Sequence, residues 1–138
     1  MLLRGPSGSG KSTLARRLIE GATDRGRFAR LVSDDQVQIT ACHGRIIARA
    51  VPAIAGRMEA RGLGLIAVAH EPAAVLRILV DCLDRDPPRW PEDVGSTTLL
   101  DGVSLQRMAG RATPDFAGLI LRRLLTDPGA EGAGLNFR

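Results

Sequence analysis

The sequence predicts an α/β domain in which a central mixed sheet is flanked by helices. Leu2 and Leu3 are typical of the end of a strand, and a glycine-rich turn and the amphipathic segment STLARRLIE follow them directly. Apolar segments then alternate with turn residues, and a second helical pattern lies near the end of the chain. With 138 residues and 44% hydrophobic content, the chain has the size of one domain spanning 1–138.

The predicted elements follow one another along the chain. Leu14, Leu18 and Ile19 have helical spacing, and the polar residues 21–30 predict a surface connection. RLVSDD then predicts a short strand that ends in two acids. The remaining strands are predicted in VQITACHGRIIARAV, LGLIAVA and RILVD. TPDFAGLILRRLL predicts a closing helix with apolar positions at Phe116, Leu119, Ile120 and Leu124, and residues 129–138 predict a frayed tail.

The composition argues against several classes of protein. The net charge is +4, but the arginines are scattered and aromatic residues make up only 3%, so no nucleic-acid interface is predicted. The longest apolar run is far shorter than the roughly 20 residues of a membrane-spanning helix, which favours a cytoplasmic protein without a membrane partner. Cys42 and Cys82 have neither metal-ligand nor redox spacing, so we expect two small buried residues.

Residues 5–12, GPSGSGKS, match the pattern of a phosphate-binding loop between a strand and a helix. Its glycines let successive backbone N–H groups face phosphates, and the helix N-terminus adds partial positive charge. Lys11 is the only lysine in the chain, and its compact ammonium suits the cradle better than the planar fork of arginine. The motif predicts a nucleotide whose phosphates are held together with Mg²⁺, and Ser12 can be a ligand of that metal. The predicted nucleotide-binding residues are Gly5, Pro6, Ser7, Gly8, Ser9, Gly10, Lys11, Ser12 and Thr13.

A phosphate-binding loop needs a carboxylate that holds magnesium or accepts a proton, and two positions qualify. Asp81 ends the predicted strand RILVD, which would give a small-molecule kinase. Asp34 and Asp35 end RLVSDD, and if that strand stays extended only one of them faces the phosphates. Because no second lysine exists, the N-K-x-D motif of a Ras-like GTPase is absent.

Four stretches together, GPSGSGKSTLARRLIE, LVSDDQV, MEARGLGLI and PPRWPED, resemble the bacterial HPr kinase/phosphorylase family, in its short catalytic-domain form. The resemblance runs to about residue 93, and EARGLG is its most specific part. It implies an ATP-dependent serine kinase that phosphorylates an HPr-type phosphocarrier of the phosphotransferase system. In many members it also implies the reverse phosphorolysis, and it implies a homo-oligomer, often a hexamer.

The resemblance also implies roles for individual residues. Lys11 would contact the phosphates, Asp34 would be the acid-base residue with Asp35 beside it, and Glu59 would join Ser12 as a magnesium ligand. Arg61, in the signature stretch 58–67 with Gly62, and Arg89, matched to an arginine on a mobile loop, would lie at the active site. Without the resemblance, the sequence would predict a surface ion pair between Glu59 and Arg61 as readily as a role in the active site.

The sequence departs from the family pattern upstream of the loop. Family members carry a strand and a functional histidine there, whereas this sequence begins three residues before RGPSGSGKS, so we expect a domain without that first strand. His43 and His70 match neither feature. Two alternatives therefore stay open: a small-molecule kinase built around Asp81, and a nucleotide-binding sensor without catalysis.

Overall fold

The computed structural model describes residues 1–60, 62–87 and 97–126, together with the backbone of 135–137. Two α-helices of 13 residues each lie in these ranges, α1 (Lys11–Thr23) and α2 (Pro114–Thr126), and a 3₁₀ turn spans Pro52–Ile54. Neither helix is long and apolar enough to cross a membrane. The strands in the described residues are β1 (Leu2–Arg4), β2 (Ala29–Leu31), β3 (Val37–Cys42), β4 (Arg45–Ala50), β5 (Arg57–Ala60), β6 (Gly64–Ala67), β7 (Ala73–Leu76), β8 (Ile78–Leu83), β9 (Thr97–Leu100), β10 (Val103–Arg111) and β11 (Leu135–Phe137).

A four-stranded mixed sheet in the order β1-β8-β10-β9 forms the centre of the described fold. β1, β8 and β10 are parallel, and β9 pairs antiparallel with β10. The register places Arg4, the last residue of β1, beside Asp81. Asp81 was predicted to end its strand, but β8 continues to Leu83. The carboxyl ends of these parallel strands lie at the same end of the sheet, and the loop after β1 emerges there. The predicted fold class is confirmed.

Both helices pack on one face of this sheet. Alternate strand residues, among them Leu3, Val80 and Cys82, point toward the helices and join their buried side chains in one core. The helices approach each other closely at Gly21, where an added Cβ would lie 2.7 Å from Leu121 Cδ1. The start of α2 was predicted correctly: Thr113 Oγ1 accepts a hydrogen bond from the Phe116 N–H at 3.2 Å and caps the helix.

The opposite face of the central sheet is covered by a three-stranded antiparallel sheet in the order β3-β4-β7. Its contact with the central sheet is a second apolar core, formed by Leu2, Ile46, Ala48, Leu76, Leu79 and Leu105. The described domain therefore has three layers: helices, mixed sheet and antiparallel sheet. The hairpin of β5 and β6 and the parallel pair of β2 and β11 complete the described strands.

The structure corrects several local expectations. Helix α1 continues to Thr23, so the connection predicted from residue 21 starts later. Leu119, predicted on the apolar face of the closing helix, is 58% exposed, while Leu121 is buried. Cys82 is buried as expected, but Cys42 is exposed. Of the predicted tail at 129–138, the structure describes only the backbone of 135–137, which pairs with β2.

Candidate functional site

The glycine-rich loop between β1 and α1 approaches β8 so closely that its first glycine has no room for a side chain. A Cβ on Gly5 would lie 2.4 Å from the carbonyl oxygen of Cys82 and 2.9 Å from Ser9 Oγ. At the other end of the loop, Gly10 has a φ of 88°, in the left-handed region, and forms the N-cap of α1. These two glycines let the chain turn sharply from strand to helix, and they direct the helix N-terminus at the end of the sheet.

Lys11, the first residue of α1, folds back over this loop. Its Nζ donates hydrogen bonds to the carbonyl oxygens of Gly5, at 2.9 Å, and Pro6, at 2.8 Å. The ammonium is therefore held at the mouth of the loop, where it adds a full positive charge to the partial charge of the helix N-terminus.

Two acids reach the loop from the turn that follows β2. Ser33 is fully buried, and its hydroxyl donates a hydrogen bond to the carbonyl of Gln36, which closes a turn with Asp34 and Asp35 at its tip. Asp34 Oδ2 accepts a hydrogen bond from the backbone N–H of Glu59 at 2.9 Å. This bond ties the turn to β5 and brings Glu59 to the same place.

A cavity of about 570 Å³ lies between the loop and these acids. Asp34 and Asp35 both line it, which corrects the expectation that only one would face the loop: β2 ends at Leu31, and the pair sits in a turn. The lining residues are Arg4, Gly5, Ser7, Gly8, Gly10, Lys11, Ser12, Thr13, Asp34, Asp35 and Glu59.

Asp81, the competing acid, has a different environment. It is not among the residues that line the cavity, and both of its carboxylate oxygens accept hydrogen bonds from arginines. Burial alone would raise the pKa of Asp81, but the hydrogen bonds from Arg4 and Arg107 outweigh it and hold the pKa below its ordinary value. A carboxylate engaged in this way is poorly placed to hold magnesium beside the loop.

The oxygen donors around the cavity have the chemistry that magnesium prefers. Carboxylates and a serine hydroxyl are hard ligands, and Mg²⁺ usually takes one or two carboxylates together with substrate phosphates. Among the residues that the structure describes, no group of three His, Cys, Asp or Glu side chains could hold a metal by itself. The donor set, Ser12 and Glu59 included, therefore fits an ion that arrives with a phosphate ligand.

Two predicted site residues, Arg61 and Arg89, lie outside the described residues. Gly62 lies in the turn between β5 and β6 with a φ of 85° and does not line the cavity. Sequence reasoning missed Arg4, which lines the cavity next to Gly5. Its position immediately before the loop motif was the only available signal, because its partners are distant in sequence.

Comparison with known proteins supports the family predicted from the sequence. Residues 1–71 match the model of the HPr Serine kinase C-terminal domain. The HPr kinase/phosphorylase of Clostridium beijerinckii is 44% identical over 68 residues, which are 49% of this chain and 20% of that protein. The protein of the same name from Clostridium perfringens is 44% identical over 69 residues, 50% of this chain and 20% of its own length. The match thus spans about a fifth of these relatives.

A solved structure extends the similarity in fold beyond the matched half. The HPr(Ser) kinase/phosphatase of Coxiella burnetii superposes with a TM-score of 0.69, covering 88% of this chain and 85% of that one, at 22% sequence identity. This likeness concerns the fold. Because the family model covers just over half of the 138 residues and includes the loop, both acids of the turn and Glu59, the chain belongs to the HPr Serine kinase C-terminal domain family.

Proposed function

We propose that this chain is an ATP-dependent kinase that phosphorylates a serine of an HPr-type phosphocarrier protein. One observation carries the proposal: the phosphate-binding loop and the pair Asp34 and Asp35 face each other across one cavity, with Glu59 beside them. The family match covers all of these residues. Its curated relatives carry the name HPr kinase/phosphorylase.

The loop side of the cavity would bind the nucleotide. Backbone N–H groups at the start of α1 and the Lys11 ammonium would hold the phosphates and stabilise the charge on the oxygens of the transferred group. Ser12 and Glu59 would hold magnesium, which, when bound, neutralises phosphate charge. Phosphoryl transfer depends mainly on such positioning and charge compensation.

The acidic side would receive the carrier serine. As the serine oxygen forms its bond to the γ-phosphorus, the bond from phosphorus to the bridging oxygen breaks and ADP leaves. The serine proton passes to the Asp34 carboxylate, whose Oδ1 is not engaged by the Glu59 N–H. In the reverse direction, an oxygen of inorganic phosphate would attack the phosphoserine phosphorus, the bond from phosphorus to the serine oxygen would break, and pyrophosphate would leave. Asp34 would return the proton to the serine oxygen.

The family resemblance extends the proposal to assembly and location. A homo-oligomer, such as a hexamer, and a cytoplasmic location shared with the phosphocarrier are parts of the same proposal. The geometry does not favour a small-molecule kinase built around Asp81, because the Asp81 carboxylate is engaged by two arginines.

The test is transfer of labelled γ-phosphate from ATP to a purified HPr-type carrier in the presence of magnesium. The control is the same carrier with its acceptor serine replaced by alanine. Label on the serine carrier alone is the expected result. If neither carrier is labelled although the chain binds ATP, the proposed kinase of the HPr-type carrier is rejected, and a nucleotide-binding sensor remains as the alternative.

A further inference from the structure

A network of three charged side chains runs from the phosphate cavity across the sheet, from Arg4 at the end of β1 through Asp81 of β8 to Arg107 in the middle of β10. Arg4 Nε donates to Asp81 Oδ1 at 2.7 Å, and Arg4 Nη2 donates to Asp81 Oδ2 at 3.1 Å. Arg107 Nε donates to the same Oδ2 at 2.7 Å. The strand register places Arg4 directly beside Asp81 and Arg107 diagonal to it, all on the face of the sheet opposite the helices. The three groups together carry one net positive charge.

The members of this network differ in their exposure and in their position relative to the cavity. The Asp81 side chain is only 12% exposed, whereas Arg4 keeps 52% of its side chain exposed although it is bonded through two nitrogens. Arg4 lines the cavity, and Arg107 does not. The Asp81 hydrogen bond also raises the pKa of Arg4, so its guanidinium stays charged at every pH relevant to the protein.

The bonding pattern leaves Arg4 with donors to offer. A guanidinium has five N–H groups, and the bonds to Asp81 use one on Nε and one on Nη2. Both N–H groups of Nη1 and the second of Nη2 remain, on the edge of the guanidinium turned away from Asp81. A planar edge of this kind matches two oxygens of a phosphate.

The charges around the cavity give a second cationic side chain a role in phosphate binding. Asp34, Asp35 and Glu59 carry three negative charges, and Lys11 alone would supply a single full positive charge opposite them. Phosphate groups entering a cavity with this excess of negative charge are repelled unless cations face them, and a further cationic side chain would add to the charge that magnesium brings. Arg4 is the second cationic side chain among the residues that line the cavity.

We propose that Arg4 is a second phosphate-binding cation of this site and that Asp81 is the positioning residue that holds it at the cavity. The proposal rests on the proposed nucleotide-dependent function and adds to it a role for the acid that would otherwise be mistaken for a magnesium ligand. Arg107 completes the arrangement by donating a hydrogen bond to the second oxygen of Asp81, which opposes rotation of the Asp81 carboxylate away from Arg4.

The test compares two arginines that share one partner. Arg4→Ala and Arg107→Ala each remove one arginine partner of Asp81, with two hydrogen bonds and one hydrogen bond respectively, but only Arg4 lines the cavity. Titration calorimetry measures the affinity of each full-length variant for ATP with magnesium, and thermal unfolding measures stability. We expect Arg4→Ala to weaken ATP binding by about tenfold or more, the size of a lost charged hydrogen bond. The loss in Arg107→Ala should be clearly smaller, and Arg4→Lys should recover part of the affinity.

The role of Asp81 is tested by a double-mutant cycle. If Asp81 acts through Arg4, then Asp81→Asn weakens ATP binding in the wild-type background but adds little to Arg4→Ala. Should Asp81→Asn fail to fold, the comparison of the two arginine variants still decides the proposal. Wild-type affinity in Arg4→Ala, or an equal loss in Arg107→Ala, would overturn it, as would a wild-type chain that binds no ATP. A chain that binds ATP through Arg4 but transfers no phosphoryl group would overturn only the kinase.

Discussion

The carboxylate of Asp34 accepts a hydrogen bond from the backbone N–H of Glu59 at 2.9 Å, which joins the turn after β2 to strand β5. The bond uses one oxygen of Asp34 and leaves the other for chemistry. It also places the Glu59 side chain at the same cavity. One short contact between residues 25 positions apart therefore assembles the acidic half of the site.

Lys11 provides the first prediction. Lys11→Arg should lose most ATP binding, because a planar guanidinium cannot reproduce the two hydrogen bonds of Nζ to the loop carbonyls at 2.8 and 2.9 Å. Titration calorimetry with ATP and magnesium measures the effect. The control is Arg16→Lys, the opposite exchange at an exposed position of the same helix, which should bind ATP as the wild type does. Equal affinities for all three proteins would contradict the role given to Lys11.

The close approach of the loop to β8 predicts a large effect at Gly5. In Gly5→Ala the new Cβ would meet the Cys82 carbonyl, a backbone atom that cannot move aside cheaply. We expect the free energy of unfolding to fall by about 1–3 kcal/mol or more, as in overpacked cores. Urea denaturation measures it. Gly26→Ala, at a φ of 68° with open space around it, should lose only the cost of a left-handed alanine, about 1 kcal/mol. A smaller loss at Gly5 than at Gly26 would refute this packing.

The two thiols should react at very different rates. Cys42 is exposed, while Cys82 is 1% exposed beneath the loop. Burial raises the pKa of the Cys82 thiol, the neighbouring Asp81 charge raises it further, and Lys11 lowers it only in part. Alkylation followed by peptide mass spectrometry should label Cys42 quickly and Cys82 only on unfolding. Rapid labelling of Cys82 in the native protein would mean that the loop does not cover it.

Asp81 makes stability depend on pH in a definite direction. Its pKa lies below the ordinary value in the folded chain, so the folded state favours the ionised form. This contribution is complete above the unfolded pKa of about 4 and is lost as the pH falls through the lower, folded pKa. In denaturant unfolding, the difference in stability between the wild type and Asp81→Asn should be largest near neutral pH and narrow below about pH 4. If the difference in stability between the two proteins stays constant at acid pH, the ion pairs of Asp81 with the arginines do not make stability depend on pH.

The sequence predicted the local features well because their causes are local. The loop motif, the turn into α1 and the Thr113 cap of α2 each depend on residues only a few positions apart. The position of Asp34 and Asp35 in a turn, with both facing the cavity, depends instead on where β2 ends and on the bond to Glu59. The family resemblance had already favoured Asp34 over Asp81.

Features set by distant contacts could not be predicted in this way. Asp81 lies near the carboxyl end of β8, next to the loop strand, which is where a magnesium ligand is expected. Only the fold brings Arg4 and Arg107 onto its carboxylate across 77 and 26 positions. The exposure of Leu119 is similar: helical spacing alone cannot tell which edge of an apolar stripe meets the sheet. The partner of β11 also depends on the folded chain.

The most direct test of the central claim is the intact mass of a purified HPr-type carrier after incubation with this chain, ATP and magnesium, beside an Asp34→Asn control. Asparagine keeps an oxygen that can accept the Glu59 N–H but is not a base, so the variant should fold and bind ATP. It should lose at least about a hundredfold in rate, the usual contribution of a general base. We predict one added phosphoryl group on a serine with the wild type and none with the variant in the same time. Equal phosphorylation by both proteins would contradict the role of Asp34, and an unchanged carrier mass with both would contradict the proposed reaction.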